Sequence, residues 1–354
     1  MNVRYSGLDA ARAFFLIIGV ALHSIQPFAH DYVWRVTHVS AIDNAWLLIE
    51  FVRDFRMYGF FMISGFFFSM LYEKRGGVDY IIKDRILRVL IPLVVIGSSV
   101  NILAAVISDS NFYNTELNFK FFWEADWLGH LWFISNLIVY YMLSYILFKF
   151  FDMNFQFSKS VLNMAIIYFL FLPLSSLVFR FFIFKFLEHD RILFLDFGMF
   201  VKYISYYFFG AIVWFRRDVL FVYLNGKMAA SGALIYAALQ ILMLIITNKY
   251  GVAIIDSLST SFLTISIISL FNVLYKKTGS LVSKLVDSSY TIYLFHQPFI
   301  IIYFYFWGLY IMINPVAHYL MVFFGVTTVS YMIHIMIRKS VYLKFMINGV
   351  VNRP

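Results

Sequence analysis

Apolar residues recur along this chain in runs of about twenty, each ended by a short polar connection. A run of that length is what an α-helix needs to cross a bilayer core roughly 30 Å thick. Apolar length read against polar breaks predicts ten helices, near 8–28, 45–72, 86–108, 129–151, 160–184, 199–215, 228–247, 258–275, 285–306 and 315–337. Backbone in lipid must satisfy its own hydrogen bonds, so the spans are expected as helices. No stretch between them has linker composition, and no internal repeat stands out. The expected fold class is an all-α integral membrane protein with about ten transmembrane helices, one polytopic domain over 1–354. The first run lacks a small-residue cleavage site and holds charges, which predicts that it is retained rather than removed as a leader.

Composition narrows the class. Hydrophobic residues make up 62% of the chain and charged ones 13%, whereas soluble domains carry about 25% charged residues. A net charge of +9 would suit nucleic acid, but the positive residues are scattered through short connections. That placement orients a membrane protein, and it leaves the lipid bilayer rather than a nucleic acid as the expected partner. With ten crossings, 18 of the 28 Lys and Arg residues fall on the side of the N-terminus and 7 on the other. Arg12, Arg53 and Arg56 lie within the predicted helices. The asymmetry predicts both termini in the cytoplasm. The absence of cysteine excludes structural disulfides, Cys-ligated metals and a cysteine thioester intermediate.

Against this apolar background, ionisable groups inside helices stand out, because each costs several kcal/mol unless it faces the bundle interior or water. The segment "GLDAARAFFLIIGVALHS" carries Asp9, Arg12 and His23. Arg12 and His23 are 11 residues apart, three turns plus about 20°, so they share a face at a separation of about 16 Å. Asp9 precedes Arg12 by three residues and is placed to pair with it. The second predicted helix holds Glu50, Arg53 and Asp54 on one face and Arg56 on another, with Ser64 and Gly65 as a patch for close helix approach. The ninth holds His296 near mid-depth.

Taken singly, a buried Asp–Arg pair fixes packing and a lone helical histidine is a structural residue. Three helices aiming polar groups at one level favour a site. No H-x-x-H or H-E-x-x-H spacing supports a metal, and no glycine-rich phosphate loop is present. An imidazole beside cations suits general-base activation of a hydroxyl. Arginine binds phosphate or stabilises an oxyanion. Buried charges around a cavity suit a transporter or exporter equally, although Pro173 and Pro298 are the interior prolines and no inverted repeat is evident. Between His130 and Ser108 the sequence predicts an acidic, aromatic external loop, where Trp123 and Trp127 serve as interfacial anchors or stack on a sugar.

The Arg-x10-His spacing at Arg12 and His23, "FRMYGFFMISGF" from Phe55, "RILRVLIP" from Arg85, "HLWFISNLIVYY" from His130 and "SSYTIYLFHQP" from Ser288 together resemble acyltransferase family three. These five landmarks occur in the family's order and span nearly the whole chain. Within the family they are most similar to the branch that succinylates osmoregulated periplasmic glucans. The resemblance implies a multi-pass O-acyltransferase of the bacterial inner membrane. Its donor would be cytoplasmic acyl-CoA, either succinyl-CoA or acetyl-CoA, with no permanently bound cofactor. Its acceptor would be an extracytoplasmic glycan, with β-glucan favoured over other surface polysaccharides.

Carried over by position, His23 is the expected base, with Glu50 as a carboxylate to orient it and Arg56 to steady the thioester oxyanion or a succinyl carboxylate. Arg12, Arg85 and Arg88 are expected along the donor path, together with Tyr293 and His296. His130, Trp127 and Trp132 are the expected glycan contacts. Without the resemblance, Arg85 and Arg88 read as ordinary positive-inside charges.

Overall fold

The computed structural model describes residues 5–32, 34–75, 78–112, 119–150, 170–178, 191–192, 194–277 and 279–350. The predicted helix 160–184 lies outside them except for a short helix at Leu172–Val178. Apart from a two-residue antiparallel ladder pairing Arg191–Ile192 with Leu195–Asp196, the regular structure among the described residues is helical. Seven helical segments there are long and apolar enough to cross a membrane.

Helix α1 (Ser6–Ile25) runs through the middle of the bundle and ends in a 3-10 turn, Gln26–Phe28, at Pro27. It packs against α2 (Ala45–Arg53), α3 (Arg56–Arg75), α9 (Lys249–Leu274), α10 (Ser280–Phe306) and α11 (Pro315–Arg338). This central position explains how α1 carries charges: they meet protein rather than lipid. Arg12 Nη2 lies 3.4 Å from Asp9 Oδ1, and its guanidinium sits 5.1 Å from the centre of the Phe67 ring.

The small-residue patch on α3 meets α7 (Phe197–Phe215) at van der Waals distance. A Cβ on Gly65 would strike the carbonyl of Tyr207, and one on Gly210 would strike the carbonyl of Met62. Each helix therefore receives the other's backbone at a glycine, as lipid-embedded interfaces require. Around this contact the core is aromatic, with Phe61, Phe66, Phe68, Tyr140, Tyr206 and Tyr207 among its most buried side chains.

Four predicted helices differ from the observed ones. The 45–72 helix is two helices, α2 and α3, broken at Asp54–Phe55. Asp54 caps α2, and its Oδ2 accepts a 3.0 Å hydrogen bond from the hydroxyl of Tyr236, while Phe55 is buried. The 86–108 helix is α4 (Val78–Ile96), a π-turn at Gly97–Asn101, and α5 (Ile102–Phe112). The side-chain amide of Asn101 donates to the Leu128 carbonyl at 2.7 Å, and Trp127 fills the space beside Gly97. The wider π-turn thus docks the 3-10 segment Asp126–Leu131. The 129–151 helix begins only at Trp132 as α6 (Trp132–Phe150), because Gly129 adopts φ +53°.

The predicted spans 8–28, 199–215, 228–247, 285–306 and 315–337 are close to those observed, whereas 258–275 is not. Helix α8 (Gly226–Met243) precedes α9, which starts well before its expected position because the Asn248 side chain caps it at the Tyr250 N–H. A last helix, α12 (Val341–Asn348), folds back onto α4.

Candidate active site

Helix α1 borders two cavities, one toward each of its ends. The cavity at its C-terminal end has a volume of about 600 Å³ and is lined by His23, Gln26, Arg56, His130, Trp132 and Gln297, among others. The cavity toward its N-terminal end is about 270 Å³ and is lined by Arg12, Arg85, Arg88, Tyr141, Tyr290 and Asn348, among others.

Two histidines, His23 and His130, line the larger cavity, and a third, the buried His296, packs against both of them. The His23 and His296 ring centres are 5.2 Å apart, and those of His130 and His296 are 4.9 Å apart. The carbonyl of Tyr293 holds two of them, accepting from His130 Nε2 at 3.1 Å and from His296 Nδ1 at 2.5 Å. The hydroxyl of Tyr293 donates back to the His130 carbonyl at 3.0 Å. This reciprocal pair ties the 3-10 segment to α10. Among the described residues no group of three His, Asp or Glu side chains is placed to hold a metal ion.

His23 is held differently. Its Nδ1 lies 2.6 Å from Oε1 of Gln26. An amide oxygen accepts, so this contact fixes the N–H on Nδ1 and leaves the lone pair of a neutral ring on Nε2. That nitrogen is the one able to take a proton. One turn earlier on α1, Gly19 makes room for the guanidinium of Arg56, whose Nη1 is buried and has no hydrogen-bond partner among the described residues. Arg56 comes from the first residue of α3, so the break at Asp54–Phe55 is what sets it there.

The smaller cavity gathers three arginines. Arg88 Nε pairs with Asp84 Oδ2 at 3.2 Å, and the backbone carbonyl of Arg88 accepts from the Tyr290 hydroxyl at 3.2 Å. Arg85 and Arg88 lie one turn apart on α4 and face Arg12 of α1 across the cavity. Arg12 and Arg88 are paired with Asp9 and Asp84, and Asp287 also lines the space, so the guanidinium N–H groups can receive an anion such as a phosphate against a partly balanced charge.

The expected site residues divide between these places. His23, Arg56, His130 and Trp132 line the larger cavity, and Arg12, Arg85 and Arg88 line the smaller one. Trp132 also stacks on Tyr203, with ring centres 5.8 Å apart. His296 and Tyr293, expected along the donor path, belong to the histidine cluster, and Tyr290 one turn earlier reaches the smaller cavity. Trp127 packs against Gly97 rather than lining either cavity. Glu50 is exposed on α2 and bonds Arg53 at 2.8 Å, so Gln26 occupies the orienting position beside His23 that Glu50 was expected to fill.

Several contributors were not foreseen. Gln26 follows His23 by three residues, a spacing that offered a signal. Gln297 adjoins His296 in sequence and was equally accessible. Tyr32, Trp34 and Arg35, from the connection after α1, also line the larger cavity. Nothing in their local pattern marked them, because they reach the cavity only through tertiary folding.

The chain matches the acyltransferase domain family over residues 5–335. It belongs to acyltransferase family three. It is similar to proteins named glucans biosynthesis protein C from Salmonella typhi and Salmonella typhimurium, each 25% identical over 379 aligned residues that cover 97% of this chain and 94% of the relative. The corresponding protein of Salmonella paratyphi B aligns equally well, at 25% identity and the same coverage. No solved structure matches. The protein is accordingly a multi-pass membrane acyltransferase.

Proposed function

We propose that this acyltransferase carries an acyl group, succinyl in preference to acetyl, from cytoplasmic acyl-CoA to a hydroxyl of an extracytoplasmic glycan, a β-glucan of the periplasm. The observation that carries the reading is that one helix, α1, puts Arg12 in a basic cavity and His23 in a second cavity some three turns away. In this reading the chain is one domain that crosses the bacterial inner membrane ten times with both termini in the cytoplasm. The smaller cavity then opens inward and the larger one outward.

Phosphates of the CoA donor bind Arg12, Arg85 and Arg88, with the thioester directed along α1. A glycan hydroxyl enters the larger cavity among Trp132, Trp34 and Tyr32. His23 Nε2 takes the proton from that hydroxyl as its oxygen attacks the thioester carbonyl, forming the new C–O bond. The tetrahedral oxyanion is stabilised by the guanidinium of Arg56. Collapse breaks the C–S bond, and the CoA thiolate leaves with the proton returned from His23. A positioned base of this kind contributes about 10²–10⁴-fold to the rate. Alternatively, the Nη1 of Arg56, which has no partner among the described residues, gives the free carboxylate of a succinyl group a cation, and this supports succinyl. The name of the Salmonella relatives supports a glucan as acceptor.

The test is transfer of label from succinyl-CoA, and separately from acetyl-CoA, by purified protein in lipid vesicles with β-glucan on the opposite face. Label on the glucan from succinyl-CoA alone is the expected result. Label from acetyl-CoA alone moves the donor to acetyl. No label from either, with intact protein, removes the reading in favour of transport.

A further inference from the structure

The C-terminal end of the described chain is part of the smaller cavity. Helix α12 lies on α4, and Asn348 and Val350 line the cavity beside Arg85, Arg88 and Thr291. The helix ends in a left-handed cap: Gly349 has φ +59°, its N–H donates to the Phe345 carbonyl at 2.9 Å, and the Val350 N–H reaches Lys344 at 3.3 Å. This cap is wedged against the arginine helix. A Cβ on Gly349 would collide with the Leu87 carbonyl and with the Arg88 backbone. Glycine is required there twice over, for the positive φ and for the close approach.

Asn348 is oriented by a hydrogen-bonded chain that starts outside the cavity. His334 Nδ1 lies 3.1 Å from Thr291 Oγ1, and that hydroxyl lies 3.4 Å from Asn348 Oδ1. A threonine hydroxyl has one proton. Donating it to the amide oxygen of Asn348 requires Thr291 to accept from an N–H on His334 Nδ1. The chain therefore runs in one direction and occupies Oδ1, so the polar group left for the cavity is the Asn348 amide N–H₂. Three arginines and an amide N–H₂ then face the same space, all of them donors.

We infer that Asn348, held by Thr291 and backed by His334, donates a hydrogen bond to an acceptor oxygen of the bound acyl-CoA, and that the Gly349 cap sets the position of the Arg85–Arg88 pair. This rests on the reading of the smaller cavity as the donor site. It makes the C-terminal segment a binding wall rather than a trailing end.

The experiment measures CoA binding to the full-length protein in detergent by calorimetry, alongside KM for succinyl-CoA and for β-glucan in vesicles. Asn348→Ala is expected to weaken CoA binding and raise KM for the donor about five- to tenfold, with KM for the glucan unchanged. Asn348→Asp keeps the shape but places a carboxylate opposite the donor's phosphates, and is expected to weaken binding further, about thirtyfold or more. Thermal melting of both variants close to wild type shows that the fold is intact. A purely structural role predicts that Asp, the closer isostere, is the milder change, and that order of effects overturns the inference. Unchanged CoA affinity in both variants overturns it while leaving the donor site in place. Failure of the wild-type protein to bind CoA at all removes the donor reading and this inference together.

Discussion

The guanidinium of Arg56 occupies the space that a side chain at residue 19 would need, and Gly19 lies one turn before His23 on the same helix. A glycine in the middle of a helix costs roughly 0.5–1 kcal/mol relative to alanine, so the cavity rather than the helix explains its presence. Gly19→Ala should push Arg56 away from the imidazole while improving the helix itself. Misplacing a catalytic group by about 1 Å costs up to about 10²-fold. The expected outcome is a loss of kcat between tenfold and a hundredfold with no fall in melting temperature. A variant that melts normally and transfers at the wild-type rate would show that Arg56 has no part in the reacting geometry.

His23 and Gln26 form a graded pair. In the proposed mechanism His23→Ala removes the base, and it should lower glucan acylation by at least about 10²-fold, with expression and membrane insertion unchanged. Gln26→Ala leaves the base but frees its tautomer and rotation. One hydrogen bond is worth about 1 kcal/mol, so a loss of roughly fivefold in kcat is expected, with KM for the donor unaltered. The double variant should be no worse than His23→Ala alone, because Gln26 acts through His23. Additive losses would instead give Gln26 its own contact with substrate.

Much of this arrangement was legible in the chain. Arg12 and His23 announced themselves as charges in an apolar helix, and the period of the helix put them on one face. The Ser64–Gly65 patch foretold a close approach, though not that Gly210 of α7 would answer it. What escaped was set by tertiary contacts. Glu50 looked like a buried carboxylate because apolar residues continue past it, yet the break at Asp54–Phe55 leaves it at the surface with Arg53. The π-turn at Gly97–Asn101 is not marked by apolar periodicity; within it Ser99 bonds the Val95 carbonyl, and across it Asn101 finds the Leu128 carbonyl and Trp127 finds Gly97. His130 was expected at the site and does line the larger cavity, but its hydrogen bond to the Tyr293 carbonyl on α10 was not legible in the sequence.

The arginines of the smaller cavity should separate donor binding from chemistry. Arg85→Gln and Arg88→Gln keep length and polarity but remove charge. A hydrogen bond to a charged group is worth about 1.5–3 kcal/mol, so each change should raise KM for succinyl-CoA by about tenfold or more. KM for the glucan should stay put. Arg88 also pairs with Asp84 at its partly exposed position, so its effect is expected to be the smaller of the two. Raised salt should mimic both variants by screening the phosphates. Equal effects on both substrates' KM would place the arginines in general stability instead.

The connection after α1 is the last part of the site open to test. Tyr32, Trp34 and Arg35 line the larger cavity from a segment pinned in place by backbone bonds from His38 to Pro27 and from Ile42 to Phe28. The side chain of His38 is buried against His318 and Phe28, which anchors the segment away from the cavity itself. Aromatic rings on a rigid connection offer flat apolar faces to sugar rings, with no need for charge complementarity on the acceptor. Trp34→Ala should therefore raise KM for the glucan about tenfold while KM for succinyl-CoA stays constant, the mirror image of the arginine variants. Hydrolysis of succinyl-CoA without acceptor, if the protein shows any, should be untouched by the change. A Trp34→Ala variant whose glucan KM is unaltered would move acceptor recognition to Trp132 and His130, which line the same cavity.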